Sequence, residues 1–302
     1  MEFNKSDLYF PDAQAVLSSD EGLQLDILAH KVKHKHIWVQ RNRDTCLLMI
    51  GESWVYGESL PGISTSTNEF DLEVQLKNTV GPKLSLLLDS DLYQYAVPAN
   101  SNAYNVETLK QILPKLIWKY KKVYICIQIT EPSREHRYEE DLKRFNSKLQ
   151  KLFIRKGKET LNFSKWLELY DEYLMRDISD IVKPHNGNVS ILLWKNFCKF
   201  NSSNTDGLKF LHETWIEFGA KTQGIQLQSP AFYVAGWIDW IQKEWQDIEF
   251  DPAYILPQLD LIEKSNKFLA DSNEHVPHPN SLQHSLWALN LYLKSGWAIN
   301  GH

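Results

Sequence analysis

Apolar residues fall into two rhythms along this chain. Short, nearly continuous apolar runs occur at 45–50 (TCLLMI), 121–129 (KKVYICIQI) and 189–200 (VSILLWKNFCKF), and the segment 92–97 (LYQYAV) alternates before stopping at Pro98. Runs of this length predict strands, and a run that is apolar at successive positions predicts a strand buried on both faces. Helical spacing takes over between them, at 105–120 (NVETLKQILPKLIWKY), 135–156 and 162–182, with Pro114 an interior kink or break. Two further helices, 251–270 and 280–294, are predicted to close the chain. Trp118, Trp166 and Trp287 stand at helical spacing with other apolar residues, which predicts that they pack in the core. Strands alternating with helices predict an α/β fold with a parallel sheet covered on both faces.

Composition fits that picture. The chain is 43% hydrophobic and 24% charged, which is the make-up of a folded globular protein and not of a disordered one. A formal net charge of −5 gives no general attraction to phosphate-rich partners, so neither nucleic acid nor an anionic membrane surface is expected. No run of about 18 apolar residues occurs, and the first residues lack the basic start and apolar centre of a secretion signal. Cys46, Cys126 and Cys198 each sit in an apolar run, as small buried hydrophobes would. Assembly in a reducing cytoplasm is expected, as a cytoplasmic protein or as part of a virion built there. The histidines of HKVKHKH (30–36) alternate with lysines that repel a cation, so this stretch reads as a solvated basic face. No metal and no cofactor are expected.

In a parallel sheet, ligands bind beyond the carboxyl ends of the strands. The residues there are polar: GESW at 51–54, PANSNAY at 98–104, TEPSREH at 130–136, NSSN at 201–204 and DSNEHVPHPN at 271–280. Serine, side-chain amides, threonine and histidine are the parts of a nucleophilic acyl-transfer site. Ser53 has an alternative reading as a helix N-cap, His278 as a loop residue, and Arg134 with Glu135 as an ion pair at a helix start.

These blocks, in this order, resemble the SGNH (GDSL-like) hydrolases. GESW is similar to their Gly-Asp-Ser block, with Glu52 in the acid slot. VPANSNAY is similar to the second block and HPN to the last, and VYICIQITEPSRE resembles the third block in a form used by some phage-encoded members. The resemblance spans about 50 to 295 and implies a flavodoxin-like three-layer sandwich. On this reading residues 1–44 are an N-terminal extension, 45–302 the hydrolase-like domain, and about 136–185 a helical insertion.

The resemblance also implies roles. Ser53 would be the nucleophile, with its backbone N–H in the oxyanion hole, and His278 would collect the serine proton and return it to the leaving alcohol. Ala99 stands where the family has a glycine donor, with Asn100 and Asn102 beside it. Thr130 stands where the family has an asparagine. His275 occupies the slot of the aspartate that orients the imidazole, and Asp271 and Glu274 are out of register with it. The implied activity is ester hydrolysis, with an O-acetylated carbohydrate as substrate. A second expectation follows from the departures at Ala99, Thr130 and His275: a catalytically weak or inactive relative serving as a phage or virion structural module, or binding glycans, with virion or homo-oligomer contacts.

Overall fold

The computed structural model describes residues 14–18, 36–58, 60–64, 69–98, 100–130, 163–196, 207–222 and 278–297. Their centre is a seven-stranded sheet in the order β1-β2-β6-β3-β7-β8-β9. These strands are β1 (Gln14–Ser18), β2 (His36–Gln40), β3 (Thr45–Gly51), β6 (Asp91–Ala96), β7 (Lys122–Ile129), β8 (Val189–Lys195) and β9 (Lys209–Phe210). A separate two-stranded sheet pairs β4 (Ile63–Ser64) with β5 (Glu69–Phe70). The five strands from β6 to β9 run parallel, while β2 joins β6 antiparallel and β1 pairs antiparallel with β2. The N-terminal segment thus extends the sheet at one edge.

Helices cover both faces, as the alternation of patterns predicts. One core layer takes Cys46, Leu48 and Ile50 from β3 and Val123, Ile125, Ile127 and Ile129 from β7. It packs them under α4 (Asn102–Lys119) and α5 (Phe163–Val182). The other takes Leu47 and Met49, with Tyr124 and Cys126. Over that face lie α1 (Ser53–Tyr56), α3 (Val80–Leu87), α6 (Trp215–Thr222) and α7 (Ser281–Ser295), with α2 (Leu72–Asn78) against α3. Successive residues of a strand point to opposite faces, so a run apolar at every position serves both layers. This is the three-layer α/β sandwich, with a sheet that is mostly parallel. Trp194, Trp215 and Trp287 cluster in the second layer, with Trp215 and Trp287 stacked at 5.5 Å.

Several local expectations change. The alternating segment around LYQYAV is buried at every position of β6, because Tyr93 and Tyr95 face one core layer and Leu92 and Ala96 the other. Pro114 lies inside one continuous α4. Trp118 is not a core residue: it is 93% exposed, whereas Trp287 is fully buried. Leu109, Ile112, Leu113 and Leu116 form the buried stripe of α4, and residue 118 follows Leu116 by two positions, about 200° round the helix. The third long apolar run ends as a strand at Lys195, and 197–206 lies outside the described residues, with Cys198. Cys46 and Cys126 are buried free thiols, and burial pushes the thiol of Cys126 up to about 12. The stretches 135–156 and 251–270 also lie outside the described residues, as do Arg134 and most of the 30–36 histidine stretch.

Candidate active site

The central strand β3 ends at Gly51, and the chain turns directly into α1. A side chain at Gly51 would sit 2.3 Å from Val55 Cγ2 and 2.6 Å from Gln128 Oε1, so the glycine lets the turn close over β7. The helix is four residues long and ends at Gly57, whose φ of 83° suits a residue without Cβ. Its N-cap is Glu52, whose side chain accepts the N–H of Trp54; Ser53 is the first helical residue, which replaces the alternative reading of Ser53 as the cap.

Ser53 is 6% exposed and Glu52 is fully buried. The Ser53 hydroxyl donates to Glu52 Oε2 at 2.5 Å, in the range of a charge-assisted O–H···O⁻ bond. Glu52 Oε1 accepts Gln128 Nε2 at 2.7 Å and Asn196 Nδ2 at 2.8 Å. The Glu52 N–H in turn donates to Gln128 Oε1 at 3.0 Å. Three neighbouring strand ends, those of β3, β7 and β8, therefore converge on one carboxylate.

Amides also stitch the adjoining loops. Asn100 Nδ2 donates to Gly51 O at 3.0 Å and to Asn105 Oδ1 at 2.7 Å, and Asn105 Nδ2 reaches Gln128 O. Asn102 Oδ1 accepts both the N–H and the hydroxyl of Thr130, at 2.8 and 3.3 Å. Asn102 Nδ2 donates to Thr130 O and to Tyr170 Oη, at 2.8 and 2.6 Å. The fold thus brings Ser53, Asn100, Asn102 and Thr130 to one edge of the sheet, where the asparagine amides hold the loops. Beside them Lys195 and Asp171 form a buried ion pair at 2.7 Å.

His278 enters on a different element, two residues before Asn280, the N-cap of α7, and is 5% exposed. Within α7 lies His284, fully buried, its ring edge-on to Trp215 at 5.0 Å. Neither ring nitrogen of His284 has a hydrogen-bond partner among the described residues. Burial first, then electrostatic repulsion from Lys83 and the neighbouring His278, push His284 down to about 3, so it is neutral. Burial also lowers the Lys83 ammonium to about 8. Ala99 and His275 lie outside the described residues. Among the described residues no group of three or more His, Cys, Asp or Glu side chains could hold a metal ion.

Three members of this edge are not among the site residues that the sequence suggests: Gln128, although it falls inside the third block, Asn196 and Tyr170. A signal was present for two of them. Gln128 is a lone polar residue inside ICIQI, and Asn196 follows the apolar run ILLW at a strand end; buried polar groups need partners.

No protein-family model matches the sequence, and no curated protein matches it. Solved structures do show similarity. A carbohydrate esterase family 2 enzyme from Corynascus thermopiles (Myceliophthora fergusii) is 13% identical, at a TM-score of 0.38, covering 84% of this chain and 66% of that one. A catalytic mutant of an acetylxylan esterase from Geobacillus stearothermophilus is 14% identical, at 0.34, covering 83% and 95%. A member of the lipolytic G-D-S-L family from Veillonella parvula is 9% identical, at 0.31, covering 82% and 96%.

Proposed function

We propose that this protein is a serine ester hydrolase of SGNH type, with an O-acetyl group on a carbohydrate as its substrate. The observation that carries the reading is Ser53, which sits at the carboxyl end of the central parallel strand with its hydroxyl on a buried carboxylate. Ligands of parallel sheets bind at that edge. Ser53 attacks the acyl carbon, and an acyl-serine forms and is hydrolysed. By the family resemblance, the backbone N–H of Ser53 serves the developing oxyanion and Ala99 stands in the sequence slot of the family's glycine donor, with Asn100, Asn102 and Thr130 as further members of the oxyanion hole. By the same resemblance, His278 exchanges the proton, and His275 stands in the sequence slot of its orienting partner.

The test is covalent labelling. A fluorophosphonate probe should modify Ser53 alone, and the protein should release acetate from an aryl acetate and from an O-acetylated sugar. Ser53→Ala should do neither. A wild-type protein without adduct under conditions that label a control esterase refutes the nucleophile.

A second reading is a catalytically inactive module for glycan binding or virion assembly. It is favoured by the engagement of the Asn100 and Asn102 amides within the fold, at Gly51 O, Asn105, Thr130 O and Tyr170. Binding of the O-acetylated sugar without turnover, equal in wild type and Ser53→Ala, would select it.

A further inference from the structure

The strand end gives Ser53 a proton acceptor that the family resemblance does not use. Ser53 Oγ donates to Glu52 Oε2 at 2.5 Å, and Gln128 and Asn196 hold the other carboxylate oxygen at 2.7 and 2.8 Å. We infer that Glu52 is the general base of acylation. The inference rests on the ester-hydrolase reading and changes only which group takes the serine proton.

The steps balance. As Ser53 Oγ bonds to the acyl carbon, its O–H bond breaks toward Glu52 Oε2 and the carbonyl electron pair moves onto oxygen. Collapse of that adduct expels the alcohol, which leaves with the proton held by Glu52. Water then attacks the acyl-serine while Glu52 takes one of its protons, and that proton returns to Ser53 Oγ as the carboxylic acid departs.

Geometry favours a base over a simple restraint. A general base must lie within hydrogen-bond reach of the proton it removes, and Glu52 Oε2 does so with the hydroxyl already aligned. The amides fix the carboxylate before reaction, so it need not reorganise as charge shifts. Gln128 clasps the residue twice, donating to Oε1 and accepting from the Glu52 N–H.

The experiment is the rate of fluorophosphonate labelling, in which an Oγ–P bond forms, fluoride leaves and the base receives the serine proton. In Glu52→Gln, the Gln128 and Asn196 donors select the carbonyl oxygen, so the new NH₂ faces Ser53. The hydroxyl then keeps a partner and loses its proton acceptor. Labelling should fall about 10³-fold in Glu52→Gln, recover by about 10-fold in Glu52→Asp, and fall only about 10-fold in His278→Ala. A Glu52→Gln protein labelled as fast as wild type, or faster, shows that Glu52 merely restrains the hydroxyl and overturns the inference. If circular dichroism shows that Glu52→Gln has not folded, His278→Ala decides. A loss near 10³-fold assigns the proton to the imidazole and overturns the inference, whereas a loss near 10-fold supports it. Wild-type protein with no label at Ser53 is a different failure: it removes the ester-hydrolase reading, and the base with it.

Discussion

At the amino ends of β3, β6 and β7, Asp91 gathers the Arg41 and Arg43 N–H groups on one oxygen and the Tyr120 hydroxyl on the other. At their carboxyl ends, Glu52 gathers two side-chain amides, the Trp54 N–H and the Ser53 hydroxyl. Both carboxylates are buried, and both accept a hydroxyl. The hydroxyls differ. Tyr120 also meets Tyr93 Oη, which takes Lys119 Nζ, and burial followed by Tyr93 raises the Tyr120 phenol far above its ordinary value. Its proton stays where it is, tying strand to helix. Ser53 sits instead in a tight strand-to-helix turn, at the edge where a ligand can approach. A buried carboxylate beside a hydroxyl is therefore not in itself a catalytic device; its position on the sheet decides what the pair can do.

The largest expected effect breaks the two edges apart by function. Ser53→Ala should lower esterase activity by at least about 10³-fold, with a melting temperature close to wild type. An unchanged rate would make the carboxyl edge as purely structural as the amino edge.

Lys195→Met tests how far the carboxyl edge also carries stability. It leaves the buried charge of Asp171 without the Lys195 ammonium, and removing one partner of a buried pair costs about 3–5 kcal/mol. Urea unfolding should show that loss at neutral pH.

His284 gives a smaller effect, which depends on pH. The folded chain holds its imidazole neutral down to about pH 3, while the unfolded chain protonates it below the ordinary value of 6.5. Across that window the unfolded state binds more protons, so stability rises with pH and levels off above it. The His284 contribution should be about 2 kcal/mol less favourable at pH 5 than at pH 7.5. Urea titrations at the two pH values should show that difference shrinking in His284→Leu; an equal difference in both proteins would refute the assignment.

The smallest effect sharpens the comparison from the other side. Tyr120→Phe removes the hydroxyl's hydrogen bonds to Asp91 and Tyr93 and should cost about 1.5 kcal/mol. Labelling of Ser53 should not change. A variant with slower labelling would show that the two edges are coupled through β3 and β6.

Much of this was legible in the chain itself. The apolar runs at 45–50, 121–129 and 189–195 mark the buried strands, because a strand covered on both faces has no side left for polar residues. GESW marks the turn, since only glycine fits where Val55 and Gln128 approach. Periodicity was weaker evidence for Trp118: helical spacing says that a residue belongs to a helix, while the face depends on what packs against it. The site's polar partners were the least legible. Gln128 and Asn196 lie 76 and 144 residues from Glu52. Either amide could have met many other groups in an unfolded chain. Only the order β6-β3-β7-β8 sets their strand ends side by side, and burial there leads each amide to donate to the carboxylate that holds Ser53.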